Sequence, residues 1–354
     1  MRLRPLTVPL LSIFALAVVV VIASRIVLFV HIFFEHAGPA LTQEEIETAY
    51  NNATAAGEKR QQHIPKIIHQ IFHNWKDPTN ETLPSDWDAT RDTCLQANPD
   101  FEHRLWTDRT STEFITAEYP WFLSTYQGYA YPVQRVDALR YFLMRHYGGI
   151  YVDLDNGCSR SLTPLLYYPA WVTDGGHGAL SNNILGARPN HPYWILVTES
   201  LIPWGYKYPF PYFTVSYASG QWFETALWER YHRMLLSQKP AARNNADKLY
   251  RVMMDMRAGA ARWVFFTQGR GGSWDQWDNH FFGYIGNILV PRIRRNAGYI
   301  FLGAAVLVGV CVWGRRRFGS CCCCLWCLGG KRRKGYKVLP AGPAQGVSEE
   351  HEMV

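Results

Sequence analysis

A helix that stops at a double glycine and hands over to a short apolar run ending in two carboxylates is the tightest constraint this chain places on its own fold. Pro132 suits the first turn of a helix, and Val133, Val136, Leu139, Phe142 and Leu143 recur at helical spacing. Gly148-Gly149 ends it, because glycine takes the left-handed cap without a Cβ clash. Ile150 to Asp155 then reads as a strand, with Ile150, Val152 and Leu154 on one face and Tyr151, Asp153 and Asp155 on the other. Asp153 and Asp155 together make a hard oxygen site suited to Mg²⁺ or Mn²⁺. Asp137 and Arg140 lie one helical turn apart and can reach a common ligand. Such a site needs an anion to complete it, and a diphosphate is the usual one. A lone Asp-x-Asp is common by chance. The weight comes from the ordered set Asp-x-x-Arg, Gly-Gly-Ile-Tyr and Asp-x-Asp in one short stretch.

The 354 residues leave room for one sizeable domain plus accessories. That domain opens at Ile64 to Phe72, an apolar strand with a polar end. Asp86 to Ala97 reads as a helix, and Phe101 to Trp106 as a second strand ending at Thr107-Asp108. Strand, helix, strand predicts a parallel α/β unit with ligands at the strands' C-terminal ends. Further helices are expected from His191 to Glu199 and from Glu224 to Leu236. Pro203 to Tyr217 is dense in aromatics and proline; a lipid-facing or acceptor-binding loop competes there with the commoner packed core strand. Cys94 and Cys158 fit either a disulfide or two buried thiols.

The ends of the chain read differently. Leu6 to Val30 is nearly continuous apolar sequence, long enough to cross a bilayer and too long for a cleavable signal. Arg2 and Arg4 precede it and Glu35, Glu44, Glu45 and Glu47 follow, so the N-terminus is expected in the cytosol. Residues 31–62 look like a polar stem, with Thr42 to Tyr50 a candidate short helix, and residues 63–283 like the catalytic domain. Asn52 and Asn80 head glycosylation sequons. After a juxtamembrane segment, 284–296, Ala297 to Trp313 is expected as a second span, leaving the basic, Cys-rich residues 314–354 in the cytosol. The net charge of +7 comes largely from Arg315 to Arg317 and Lys331 to Lys334, which points to a membrane surface; no nucleic-acid-binding motif appears. Cys321 to Cys324 and Cys327 favour S-palmitoylation over zinc, having no nearby His or paired Cys-x-x-Cys.

The ordered set at 137–155, with IPKIIHQIF at 64–72 and EHRLWTD at 102–108, resembles the DXD-containing glycosyltransferases, which read a nucleotide-sugar through a divalent metal. With an apolar span on each side, the chain looks like the fungal inositol phosphorylceramide mannosyltransferases. The resemblance implies an α/β, GT-A-like Rossmann-type domain flanked by two transmembrane helices, in the Golgi membrane with the catalytic domain lumenal. It implies Mn²⁺ or Mg²⁺ as cofactor, GDP-mannose as donor, a sphingolipid as acceptor and a multi-pass regulatory subunit as partner. Asp153 and Asp155 would hold the metal, Asp137 and Arg140 the sugar hydroxyls, and Tyr151 would line the donor pocket. Phe72 would stack the nucleotide base, a plain core role being equally open. By order along the chain, Ser273 and Trp274 match a late pair that closes over metal and diphosphate, Ser273 as a metal ligand; a juxtamembrane turn is the alternative. Asn182 and Asn183 are candidate acceptor contacts or ordinary turn asparagines. Arg292, Arg294 and Arg295, on the lumenal flank of the second span, would grip an acceptor phosphodiester or only anchor the span. Ser219-Gly220-Gln221 stands where the family often has Thr-Gly-Pro, which affects the acceptor side. The family retains configuration at the anomeric carbon, and with no covalent nucleophile in sight same-face attack within an ion pair is expected. A mannosyltransferase of protein-linked glycans would share the donor residues, and a catalytically silent scaffold subunit would not need an intact Asp-x-Asp.

Overall fold

The computed structural model describes residues 36–268 apart from 177 and 239–243, together with scattered residues on either flank. The chain divides into two compact units, Met1–Phe281 and Phe282–Val354, and the fold below belongs to the first. Among the described residues no helix is long and apolar enough to cross a membrane. The expected span at 6–30 lies partly, and that at 297–313 wholly, outside the described residues.

The first unit is built on one mixed sheet. Strands β1 (Ala40–Leu41), β2 (Ile67–Ile71), β3 (Glu102–Trp106), β4 (Gly149–Val152), β6 (Ala170–Asp174), β7 (Ser181–Ala187) and β8 (Tyr250–Met253) form it. Their order is β1-β8-β6-β7-β4-β2-β3. All neighbours run parallel except β7, which is antiparallel to both β4 and β6. Strands β5 (Asn156–Cys158) and β9 (Phe266–Gln268) pair separately. Helix α2 (Ser85–Ala97) is the crossover from β2 to β3, whose register runs from Ile67 opposite Glu102 to Ile71 opposite Trp106. This is the parallel unit the sequence predicts.

Alternation along the strands sends side chains to two apolar clusters on opposite faces. Tyr151, Val172 and Leu185 join one, while Ile150, Val152, Trp171 and Ile184 join the other. The first face is covered by α3 (Asp108–Glu118), α4 (Pro120–Gly128), α5 (Pro132–His146), α6 (Pro192–Ser200) and α8 (Gln221–Ser237). Helix α5 is the central one, with Pro132 in its first turn and ten of its side chains buried. Gly148 and Gly149 take φ of 65° and 88°, and a Cβ on them would stand 2.5 Å from Ala187 O and 2.7 Å from Ile67 O. Only glycine lets α5 turn this sharply into β4.

Three expectations change. The strand after the glycines ends at Val152; Asp153 to Asp155 form a turn closed by Asn156 N donating to Asp153 O at 2.9 Å. The carboxylates therefore sit on the bend into β5. Secondly, residues 36–55 belong to the folded unit and not to a stem. β1 pairs with β8, Trp228 Nε1 donates to Ala37 O at 2.8 Å, and α1 (Gln43–Ala55) buries Gln43, Ile46 and Ala53. Gln43 Oε1 accepts from Val264 N at 2.9 Å and Phe265 N at 2.8 Å. The candidate helix at 42–50 is present and runs on to Ala55, but its narrow buried face does not reveal that it packs, and a two-residue strand has no period to count. Finally, 203–217 is neither a strand nor all loop: it ends in helix α7 (Pro211–Ala218), started by its proline.

Candidate active site

Helix α5 delivers Asp137 and Arg140 to one face, and both side chains are almost wholly buried. Arg140 Nη2 lies 3.4 Å from Asp137 Oδ1, and Nη1 lies 3.4 Å from Asp153 Oδ1. Nη1 also donates to Asn182 O at 2.7 Å, and the guanidinium sits 4.8 Å over the Tyr151 ring. Tyr151 Oη donates to Asp153 Oδ1 in a short hydrogen bond. One guanidinium thus ties the Asp-x-x-Arg helix to the Asp-x-Asp turn.

The charge balance is lopsided: Asp137, Asp153 and Asp155 face one arginine. Burial raises the carboxyl of Asp153, opposed by Arg140 and the Tyr151 hydroxyl. Burial, then the neighbouring Asp153 charge, pushes Asp155 up to about 6. Burial also raises Asp137 against the pull of Arg140. A cation beside Asp153 and Asp155 would relieve this repulsion. Two carboxylates are the protein share Mg²⁺ usually takes when phosphates supply the rest, so the residues present fit a divalent metal completed by a diphosphate. Among the described residues no group of three or more His, Cys, Asp or Glu makes a fuller site.

The asparagines of β7 brace this centre. Asn182 Nδ2 lies 3.0 Å from Asp137 Oδ1 and 3.1 Å from Tyr141 Oη. Asn183 O accepts from Asp153 N at 2.9 Å, its Oδ1 accepts from Thr173 Oγ1 and Ser181 Oγ, and its Nδ2 donates to Asn156 Oδ1 at 3.1 Å. The Asn182 amide braces Asp137 and Tyr141, whereas the Asn183 amide is taken up by Thr173, Ser181 and Asn156. The cysteine alternative resolves to a disulfide, Cys94–Cys158, which pins β5, just beyond Asp155, to α2.

Three further members join the centre: Ser219, which the sequence places only on the acceptor side, Tyr141 and Glu224. Ser219 Oγ donates to Asp137 Oδ2 at 3.0 Å, and Tyr141 Oη donates to Ser219 O at 2.8 Å. Tyr141 had a usable signal, standing four residues after Asp137 on the same helical face. Glu224, fully buried on α8, has no hydrogen-bond partner on either carboxylate oxygen among the described residues, and burial pushes it up to about 8. Nothing local in the sequence marks it. Phe72 sits at the C-terminal end of β2 but is buried, its ring edge-on to Trp87 at 6.0 Å. Ser273, Trp274 and Arg294 lie outside the described residues, while Arg292 and Arg295 are exposed in the second unit. Asp278 is buried, and its Oδ2 accepts from Tyr212 N, near the start of α7, at 2.7 Å.

Residues 84–171, which hold the centre, match the family described as "Glycosyltransferase sugar-binding region containing DXD motif". The chain is 39% identical over 236 residues to inositol phosphoceramide mannosyltransferase 3 of Schizosaccharomyces pombe, covering 67% of this chain and 61% of that protein. It is 36% identical over 270 residues to the mannosyl phosphorylinositol ceramide synthase CSH1 of Saccharomyces cerevisiae, covering 76% and 68%. With the SUR1 synthase of the same yeast it shares 35% over 246 residues, covering 70% and 60%. The chain thus spans about three fifths to two thirds of the length of these relatives. A solved structure titled "PaToxG Glycosyltransferase" aligns over 53% of this chain and 77% of its own at a TM-score of 0.36 and 16% identity, too distant to bear on the site. By its identity to these relatives and its DXD region, the chain belongs to the inositol phosphoceramide mannosyltransferase family of DXD-containing glycosyltransferases.

Proposed function

We propose that this chain transfers mannose from GDP-mannose to the inositol headgroup of inositol phosphorylceramide, giving mannosylinositol phosphorylceramide with retention at the anomeric carbon. The observation that carries the reading is the buried Asp137–Arg140–Asp153 cluster with Asp155 beside it, in a chain whose relatives bear these names. Asp153 and Asp155 would hold Mn²⁺ or Mg²⁺, which when bound neutralises the leaving diphosphate. Arg140 locks the helix and the turn in one arrangement, so the site is set before the donor arrives. Asp137, fixed by Asn182 and Ser219, keeps lone pairs free to accept from a sugar hydroxyl. The bond from anomeric carbon to phosphate oxygen breaks with its electron pair going to the diphosphate. An inositol hydroxyl then bonds to that carbon from the same face and passes its proton to the departing phosphate.

The setting completes the proposal. Apolar runs at 6–30 and 297–313 would anchor the enzyme at both ends in the Golgi membrane, with the catalytic domain lumenal and both termini cytosolic. The Cys94–Cys158 disulfide and the exposed sequon residues Asn52 and Asn80 support an oxidising, glycosylating compartment. Arg292, Arg294 and Arg295 would meet the acceptor phosphate, and a multi-pass subunit would complete the enzyme. The test offers the purified full chain GDP-mannose or UDP-sugars, with inositol phosphorylceramide or a mannose-terminated glycan as acceptor. Transfer of mannose from GDP-mannose to the lipid is expected; transfer to the glycan alone would refute the acceptor.

A further inference from the structure

Between α6 and α7 the chain carries aromatic side chains on its outside. Residues 202–210 are exposed apart from Trp204, which is half-buried. Tyr206 is 68% and Ile202 48% exposed, and Tyr208 and Phe210 are exposed beside them in the chain. Large apolar groups clustered in this way mark an interaction surface, whereas single ones do not. The loop is held in place from beneath. Trp204 N donates to Ser200 O at 3.1 Å, and the Trp204 ring lies 5.6 Å from that of Phe223 on α8. Tyr208 N donates to Thr214 Oγ1 at 2.9 Å, which ties the far end to α7. Pro203, Pro209 and Pro211 have no N–H to offer, so the loop is a poor edge for an added strand. From Leu201 to Tyr217 the one charged residue is Lys207, which is exposed.

The routes to both apolar runs meet the helices next to this loop. His36 stands six residues after Val30, where the first run ends, a reach of at most about 21 Å. Ala37 N then donates to Glu229 Oε1 on α8 at 3.0 Å. On the way to the second run, Asp278 Oδ2 accepts from Tyr212 N in the first turn of α7. Resting on the membrane setting proposed above, we infer that residues 202–210 seat in the headgroup layer of the bilayer, with Lys207 on lipid phosphate. Tyrosine pairs an apolar ring with a polar tip, which suits that layer, and a cation with no acidic neighbour in the loop is drawn to anionic lipid. The loop offers a protein neither a strand edge nor a pattern of opposite charges. The seat also sets the height of the site. Ser219, directly after α7, donates to Asp137 Oδ2 at 3.0 Å. The eight residues of α7 rise about 12 Å, so Asp137 stands one short helix from the seat, within range of a lipid headgroup.

The test uses the full chain in vesicles of phosphatidylcholine and phosphatidylinositol, with the six cysteines outside the Cys94–Cys158 disulfide replaced by serine. A fluorophore is placed on Tyr206→Cys or, as the control, on Asp100→Cys. Asp100 is exposed just before β3, at the end of the sheet away from the carboxylates. Nitroxide-labelled lipid should remove most of the fluorescence at position 206 and leave that at position 100 unchanged. Quenching is read without turnover, so it decides the seat even where transfer fails. In a second arm, the Tyr206→Ser/Tyr208→Ser double variant stays on the membrane through the apolar runs. Its apparent KM for vesicle-borne inositol phosphorylceramide should rise about tenfold or more, because two aromatic rings lose their burial. Its KM for GDP-mannose should not change. An unquenched label at position 206 on vesicle-bound protein, or an unchanged lipid KM in the double variant, overturns this inference and leaves the transfer proposal standing. A full chain that does not float with the vesicles overturns both the inference and the membrane setting.

Discussion

Asp137 on α5 and Glu224 on α8 are carboxyls at nearly the same depth, close enough that the Asp137 charge is felt at Glu224, yet they live in opposite surroundings. Asp137 has Arg140 at 3.4 Å, Asn182 at 3.0 Å and Ser219 at 3.0 Å. Glu224 has no hydrogen-bond partner among the described residues. The difference teaches what burial alone does and what partners undo. A carboxylate taken out of water without partners gives up its charge. Asp137 is raised by burial as well, but there a cation and two hydrogen-bond donors oppose the rise. The Asp137 side is a prearranged electrostatic site; the Glu224 side is a neutral acid in the core.

The largest effect is expected at Arg140. Arg140→Gln leaves Asp137 and Asp153 without their shared cation, which should cost about 3–5 kcal/mol of stability. Transfer should fall by about a hundredfold or more, as when a preorganised charge is lost. Thermal melting and a transfer assay at matched folded protein check both, and near-normal turnover in the variant would mean the cluster is structural only. A smaller effect is expected at Ser219, whose hydroxyl donates to Asp137 Oδ2. Ser219→Ala should cost about 1.5–3 kcal/mol, the range for a hydrogen bond to a charged group. It should lower turnover more than it weakens GDP binding, since Asp137 is assigned to the sugar.

At Glu224 the expected effect depends on pH. Glu224 is raised to about 8, so its neutral form stabilises the fold fully below the ordinary carboxyl value of 4.5, and that contribution is lost as pH climbs through 8. Glu224→Gln, which cannot ionise, should melt within a degree or so of wild type at pH 5 and several degrees higher at pH 9. Melting curves that stay parallel across this range would show that Glu224 has a partner after all.

Much of this was legible in residues close together in the chain. The α5 helix, its double-glycine stop and the paired aspartates announce themselves because cap, period and carboxylate spacing are local properties. The linkage of Asp137 to Ser219 was not, since those residues are 82 positions apart and meet only through tertiary packing. The antiparallel run of β7 was hidden for a related reason: a strand's direction is set by its connections, not by its own side chains. Asparagine suits a turn or a ligand contact equally, so residue type alone does not say that the Asn182 amide turns inward onto Asp137. The two-residue β1 fell below the length at which any period can be counted. Glu224 was invisible because its significance is the lack of partners, a property of the folded neighbourhood alone.

In the proposed function, Asp153 and Asp155 hold a divalent metal against a GDP-mannose diphosphate. The most direct measurement is GDP-mannose binding to wild type and Asp155→Asn, each titrated with Mn²⁺, with folded state checked by melting. Wild type should bind the donor at least about tenfold more tightly with Mn²⁺ than with chelator, by the loss expected when a charged contact is removed. Asp155→Asn should melt like wild type, show no such gain and fail to transfer mannose. A folded Asp155→Asn protein that keeps both the Mn²⁺ gain and chelator-insensitive transfer would contradict the account.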